Sequence, residues 1–574
     1  MRVRSLVAWV PVDASPGAAA AGADGEQHWQ ADRLQVRYVP RDAAGAGAAP
    51  GGALPALVLG DDAECAAGHD GSLAGGVPVR FDATARRLVL HTSIVALPPV
   101  FLYRGPRVIA VASDLASLVE VPGVRLSLDP AAVTELGRFG HPVGHRTLFR
   151  DVELVPGGST LTLGADGTVR VERHWQLPAG TPLSWPDFIE SQVAAFKDAV
   201  HRTSTVRSFL SLTAGLDTRT VFAALADEGR LVPGVTITGT RPSLDARTAA
   251  RLCRAYGVQH QSVTIDDRFV RDLPHLVETA SRLSGGLASL DQAPEVFLYD
   301  QLGGAFSARW SGNLGNQVGR GGTEGVSLRG AELGILAPAL RHETGSDEHW
   351  LLGKLRGDAR SALEFILQHE IAFTSVGNYC IGSHFAAQLS PYADRTLIET
   401  LARYPVSRET APSGSRLHMR LRDLRHRFLG EPERVSFQRT LVHRIGGPAA
   451  GIPVNWGWRP AGAVSPTGLA IGVATLAGMA ARATSMDHGA LGGLISASGL
   501  PALHDFRDTR RWLRVDLQAF TRDTLGAQPL RAAGLFDEPR LSALLDEHFS
   551  GRRDHYHSVT FALDVALAWR LFVR

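Results

Sequence analysis

Lysine is nearly missing from this chain. Of 574 residues only Lys197 and Lys354 are lysine, so almost all of the 59 basic charges are arginine. A catalytic ammonium has two places to stand, and a cation that binds phosphate or carboxylate is expected to be a guanidinium. Cysteine is also scarce. Cys65, Cys253 and Cys380 lie far apart with no CxxC or Cys/His ligand spacing, which argues against a zinc ribbon or a disulfide framework and fits a reducing, cytoplasmic setting. An excess of one charge sign is lacking too: 59 basic residues face 57 acidic ones, mixed along the chain, and no nucleic-acid footprint emerges. Long runs of large aliphatics are absent. The most charge-poor stretch, AGAVSPTGLAIGVATLAGMAA at 461–481, is mostly Ala and Gly, a poor membrane span that reads as a linker running into a packed helix. The opening MRVRSLVAWVPV has a basic tip and a short apolar run, but Pro11 interrupts it, so a first β-strand is expected rather than a signal peptide.

With 44% hydrophobic and 20% charged residues the chain is an ordinary globular one, long enough for two or three domains. Up to residue 175, short β-like runs alternate with turns: SLVAWV, LQVRYVP, ALVLG, VRFDATARRLVLHTSI, PVFLYRG, RVIAVAS and STLTLGADGTVRVERHW. That pattern predicts an antiparallel sheet. Two Ala/Gly-rich patches, SPGAAAAGADG and AAGAGAAPGGA, read as loops. After Pro182–Pro186 the pattern changes. DFIESQVAAFKDAVHRTS has helical spacing, SFLSLTAG is a strand and turn, TRTVFAALADEG a helix, GVTITGT a strand, DARTAARLCRAYG a helix and HQSVTI a strand. Such alternation predicts a doubly wound parallel sheet. The expected division is 1–182 and 183–574, the latter mainly helical from about 330, with ALEFILQHEIAF, LHMRLRDLRHRFLG and VTFALDVALAWRLFV as its clearest helices.

The segment SLTAGLDTRT at 211–220 joins one of these strands to a helix. In open parallel sheets ligands sit beyond the carboxyl ends of the strands, where helix N-termini present N–H groups and partial positive charge. Ala214 and Gly215 lack bulk, Thr213 and Thr218 add hydroxyls, and Asp217 supplies a carboxylate for magnesium. No GK[ST] ending follows, so it is not a Walker A loop.

Its surroundings add weight. LSLTAGLDTRT resembles the pyrophosphate loop of the asparagine synthetase family, written LSGGLDSS, with Thr213 to Thr218 in register. VTITGTRPSLDARTAARLCRAYGVQHQSV is similar to that family's adenine-side strand and D-x-x-x-A-x-x-x-A helix. WSGNLGNQVGRGG at 310–322 stands at the place of SGEGSDEVFGG. In the first half, LVLHTSIVALPPVFLYRGPRVIAVASDLASLV resembles the family's LVLARDRLGIKPLYY and FASELKAL. RTLFRDVELVPGGSTLTL, with HW at 174–175, resembles its glutaminase-domain ending. The resemblance covers roughly residues 80 to 330.

The resemblance implies an α/β protein: an N-terminal Ntn-hydrolase-like, glutaminase-type antiparallel sheet domain, then an ATP-pyrophosphatase-type parallel-sheet synthetase domain with a helical C-terminal part. It implies ATP and Mg2+ as cofactors, with a carboxylate adenylated and an amine then displacing AMP to form an amide. By this matching Leu212, Thr213, Ala214, Gly215, Asp217, Thr218, Thr238, Ser311 and Gly312 surround the nucleotide, and Asp217 and Asn316 face the metal. The implied partners are a small-molecule or peptide carboxylate and an amine, with a homodimer as an option and neither nucleic acid nor membrane.

The chain departs from the family in three respects. Its glutaminase uses Cys at position 2, where this chain has Arg2, so glutamine-derived ammonia is not expected. β-Lactam synthetases and lasso-peptide cyclases are relatives with that pattern. Asn313, Asn316 and Gln317 are amides where the family has acids, leaving Asp217 as the one family carboxylate on the metal. The family's late lysine has no counterpart. Arg439 and Arg444, in FQRTLVHRIGGPAAGIPVNWGW, are the nearest cations, and with Asn313 they are the candidate catalytic residues. These departures leave a second reading open, a catalytically silent nucleotide-binding or scaffold homologue.

Other clusters carry less. Asp546, His548, Asp554, His555 and His557 in DEHFSGRRDHYHS fit no standard metal spacing and read as a polar surface loop. His369 and Glu370 lack the second histidine of a metalloprotease helix and read as helix surface. GRGGTEG at 319–325 reads as the family's glycine-rich turn, and Trp456 and Trp458 as packing.

Overall fold

The structure is a computed structural model that describes residues 2–12, 26–31, 33–40, 57–60, 76–82, 86–203, 207–319, 329–341, 362–403, 437–460, 462, 466–485, 494 and 507–573. Both Ala/Gly patches, Cys65, Lys354, LHMRLRDLRHRFLG and all but Gly319 of GRGGTEG lie outside the described residues.

The alternating runs of the first 173 residues form an eleven-stranded sheet. Its spatial order is Val169–Arg173, Ser159–Gly164, Arg87–His91, Gly76–Asp82, Leu57–Gly60, Arg2–Pro11, Val108–Ala112, Phe101–Arg104 and Val152–Leu154. Leu34–Pro40 also pairs with Arg2–Pro11 and carries Gln27–Ala31. The pairings are antiparallel except that of Arg2–Pro11 with Leu57–Gly60. Because side chains alternate along a strand, Leu6, Ala8 and Val10 join one core with Val36, Leu90 and Leu161, while Val7 and Trp9 join another. Arg2–Pro11, within MRVRSLVAWVPV, is therefore a strand held from both faces. The helix Pro130–Phe139, capped by Asp129 and ended by left-handed Gly140, is a feature that the strand-and-turn pattern does not announce.

The second sheet has five strands in the order His260–Ile265, Gly234–Gly239, Ser208–Ser211, Ala308–Trp310 and Ala387–Leu389, all parallel. The earliest strand is central. The next two lie on one side of it and the last two on the other, so the winding reverses between Ser208–Ser211 and Ala308–Trp310. A reversal of this kind opens a crevice at the carboxyl ends of the two strands. The mixed α/β architecture follows from these two sheets with the helices packed on them. One continuous core runs from Val7 through Phe209 and Leu252 to Phe572, so the antiparallel sheet, the parallel sheet and the closing helix Tyr556–Phe572 share buried side chains.

Three expectations are corrected. Helix Pro466–Ser485 packs through Gly468, Gly472 and Thr475, and a Cβ on Gly457 would lie 1.7 Å from the Gly468 carbonyl oxygen. Its large residues Leu469, Val473 and Leu476 face outward instead of into a core. His369 and Glu370 are buried rather than on a helix surface, in the wide turn Ile366–Glu370. The C-terminal cluster is not wholly a surface loop, since His548 and His555 are buried. His555 sits 2.8 Å from Glu547 Oε2 and 3.1 Å from Glu332 Oε1, while Asp546 pairs with Arg522. Among the described residues no group of three or more His, Cys, Asp or Glu could hold a metal, and no helix is long and apolar enough to cross a membrane.

Candidate functional site

Two loops leave the adjacent carboxyl ends at the reversal: Leu212–Gly215 after Ser208–Ser211, and Ser311–Leu314 after Ala308–Trp310. Leu212 is fully buried. It donates its N–H to the Val235 carbonyl and accepts the Thr236 hydroxyl, which locks the start of the turn to the neighbouring strand. Thr213 and Thr218 face each other, Oγ1 to Oγ1 at 3.0 Å, and Thr218 Oγ1 accepts the Thr213 N–H. Gly215 is the N-cap of helix Leu216–Asp227 and offers no capping side chain, unlike Ser243 at the neighbouring helix. A helix start without a side-chain cap leaves its first N–H groups to water or to a bound anion. Thr238 is buried and accepts the Ser243 N–H at 2.9 Å, so it shapes the next strand end.

The second loop closes tightly on the first. A Cβ on Gly312 would meet the Thr218 nitrogen at 2.8 Å, and one on Gly315 would meet the Asp217 carboxyl carbon at 2.7 Å, so both glycines are required by close approach. Leu314 adopts φ 66, a left-handed conformation that a bulky residue rarely takes and that marks strain where the loop turns. Ser311 is held by its N–H to the Leu389 carbonyl, and exposed Asn313 accepts the Ser390 hydroxyl on its carbonyl. Asn316 is partly exposed and Gln317 buried.

Asp217 stands where these loops meet. Its Oδ1 accepts the Gln438 side-chain N–H at 2.7 Å, and its main-chain carbonyl accepts the Tyr392 hydroxyl at 3.0 Å. Gln438 Nε2 also reaches Tyr392 Oη at 2.9 Å. On the other flank the Ala214 N–H donates to Asp245 Oδ1 at 2.8 Å. Arg219, fully buried, donates to four carbonyls: Ala214, Ala449, Ile452 and Pro453. Burial lowers its pKa to about 10, with Tyr256 opposing, so it stays charged at neutral pH.

The two candidate arginines diverge. Arg439 is partly buried with its guanidinium 5.5 Å above the Trp458 ring, and burial lowers its pKa. Arg444 lies about 240° further around the helix from Gln438 and is spent on a two-pronged surface pair with Glu190, Nη1 to Oε2 at 2.7 Å. That corrects its assignment beside the turn. Magnesium is implied by the resemblance, and the donor set suits it minimally. Magnesium takes one or two carboxylates together with phosphate oxygens, and Asp217 is the carboxylate at this turn that could contribute one.

Asp245, Arg219, Gln438 and Tyr392 are site residues that motif reading does not single out. The first two lie inside quoted motifs as a half-buried acid and a buried base. Gln438 adjoins Arg439, and Tyr392 carries no sequence signal.

No protein-family model and no curated protein matches this chain. Among solved structures it is similar to an NMN synthetase from Francisella tularensis, at 15% identity over 32% of this chain and 77% of that one, with a TM-score of 0.18. It is also similar to a glutamine-dependent NAD+ synthetase from Acinetobacter baumannii solved with ADP, at 11% identity over 56% of this chain and 70% of that one, with a TM-score of 0.19. At this level of similarity the functional reading has to rest on the residues of the site.

Proposed function

We propose that the chain is an ATP-dependent amide-forming enzyme that adenylates a carboxylate and takes its amine from free ammonia or from the substrate. The observation that carries this is the pair of loops at the reversal of the parallel sheet, Leu212–Gly215 and Ser311–Leu314, closed around Asp217. The substrate carboxylate attacks the α-phosphate of ATP, forming the acyl-adenylate and releasing pyrophosphate. The amine then attacks the acyl carbon, and AMP leaves as the amide forms and the amine loses a proton. Thr213, Thr218 and the first-turn amides of Leu216–Asp227 are suited to orient the leaving pyrophosphate, where the charge grows. When bound, Mg2+ would be held by Asp217 and the Asn316 amide and would neutralise phosphate charge.

ATP–pyrophosphate exchange across a panel of carboxylates tests the reading. Exchange with at least one carboxylate is expected, and silence throughout counts against adenylation. Asp217→Ala is expected to weaken Mg-ATP binding by about 10- to 100-fold, the loss typical when one group around a metal is removed. Unchanged affinity in calorimetry would end the metal role of Asp217.

A specific observation favours a second reading, a nucleotide-binding scaffold without turnover: Asp217 Oδ1 is bonded to a neutral amide, and Asn316 and Gln317 replace acids. Asn316→Asp separates the two. Turnover that appears only in the variant supports the scaffold, and turnover already present in the wild type rejects it.

A further inference from the structure

Arg219 is an unusual residue for its place. Its side chain is among the largest that are fully buried, it lies two residues past Asp217, and among the described residues its hydrogen-bond partners are carbonyls alone. It forms no ion pair with a described acid, and its Nε has no partner. A buried charge without a counter-ion is costly, and the cost falls when an anion binds within its field. Two of its acceptors, Ala449 and Ile452, sit at the end of the short helix Gly447–Gly451, where main-chain carbonyls converge. A third is Ala214 itself, whose carbonyl also accepts the Asn455 N–H at 3.3 Å.

The turn needs such a cation. Asp245 places a carboxylate on the Ala214 N–H, and Asp217 places another in the first turn of the helix. Both repel a polyphosphate unless a cation screens them. Polyphosphate binding therefore requires positive charge close by, and Arg219 is bonded to the carbonyl of the same residue whose N–H carries Asp245.

We propose that Arg219 is the specificity-determining cation of this turn, selecting polyphosphate ligands over uncharged nucleosides through its field and through its hold on Ala214 without touching the ligand. This rests on the reading of the turn as a nucleotide site and goes beyond it, because it assigns the preference for phosphate to a residue behind the backbone. The selectivity is electrostatic, so it grows with ligand charge. A purely structural role would affect all ligands alike.

The experiment is calorimetric binding of adenosine, ATP and inorganic pyrophosphate to the full chain, as wild type, Arg219→Met and Arg219→Lys. Arg219→Met is expected to weaken ATP and pyrophosphate by about 10- to 100-fold and adenosine by less than about 3-fold, the size expected for one unit charge through an effective protein dielectric. Arg219→Lys keeps the charge but not the fork, and is expected to keep the ATP-over-adenosine ratio within about 3-fold of wild type. If Arg219→Met weakens adenosine as much as ATP, or leaves ATP unchanged, the proposal is overturned while the nucleotide reading stands. Should Arg219→Met not fold, Arg219→Lys decides: a preserved ratio supports the proposal and a lost ratio rejects it. If the wild type binds none of the three ligands, the nucleotide reading fails and the proposal with it.

Discussion

Gln438→Glu is expected to destabilise the protein by about 3–5 kcal/mol at neutral pH, the range for leaving a buried charge uncompensated, and to lose most of that penalty in acid. In the wild type the Gln438 amide donates to Asp217 Oδ1 at 2.7 Å and the side chain is fully buried. Glutamate of the same length puts a carboxylate oxygen where the N–H stands. Two carboxylates at this separation do not both stay ionised, so one takes up a proton whose O–H restores the bond. The folded variant then holds a proton that its unfolded chain has released above about pH 4.3. Where the folded state binds more protons than the unfolded one, stability falls as pH rises. The difference between variant and wild type should therefore be small near pH 4 and grow steadily toward pH 7. Gln438→Met is the control: it removes the amide's hydrogen bonds to Asp217, Gly315 and Tyr392 without adding a charge, and should cost about 1–3 kcal/mol with a much weaker pH dependence. Urea titrations of the three proteins at several pH values measure this. A Gln438→Glu penalty that does not change with pH would show that Asp217 is not ionised against Gln438. The same bond joins helix Phe437–Ile445 to the turn, so this experiment also reads how firmly the C-terminal helices complete the site.

How much of this was legible before the structure depends on the range of each interaction. The strands of the antiparallel sheet announce themselves because burial on alternate faces leaves a two-residue period, as in Leu6, Ala8 and Val10 against Val7 and Trp9. The turn at Thr213–Thr218 is legible because a strand, two small residues and a helix follow in sequence. Its seating at the reversal of the parallel sheet then follows from strand order. Arg219 and Gln438 were not legible as site residues, since their partners are distant. The carbonyls that hold Arg219 at Ala449, Ile452 and Pro453 lie 230 to 234 residues away, and Gln438 lies 221 residues from Asp217. Neutral amides and backbone carbonyls leave no periodicity. The reverse error arose at Arg444 and at His369, where charge or polarity alone suggests a site or a surface. At Arg444 the deciding factor is the Glu190 pair, and at His369 it is the wide turn Ile366–Glu370, which turns the side chain inward. Helix Pro466–Ser485 misleads in another way: glycines on its packed side let the backbone itself fill the contact, so its leucines are left outside.

A pH effect in the wild type is expected from two histidines after helix Pro130–Phe139. Burial pushes His141 down to about 4, with its hydrogen bond to the Pro142 carbonyl opposing. Burial also pushes His145 down to about 4, aided by His369 and Arg173. Between about pH 6.5 and pH 4 the unfolded chain binds protons that these folded imidazoles refuse. Stability therefore falls as pH falls through that window, by up to roughly 3 kcal/mol for each histidine at about 1.4 kcal/mol per pH unit. His145 faces His369, ring centroids 6.0 Å apart, across the seam between the segment after helix Pro130–Phe139 and the turn Ile366–Glu370. Acid is thus expected to loosen this seam. His145→Gln, which cannot take up the proton, should flatten the decline in melting temperature between pH 6.5 and pH 4, and His141→Gln should remove a further share. A wild-type melting temperature that is level over this window, or a His145→Gln profile that runs parallel to it, would mean that the seam admits enough water to solvate both imidazolium ions.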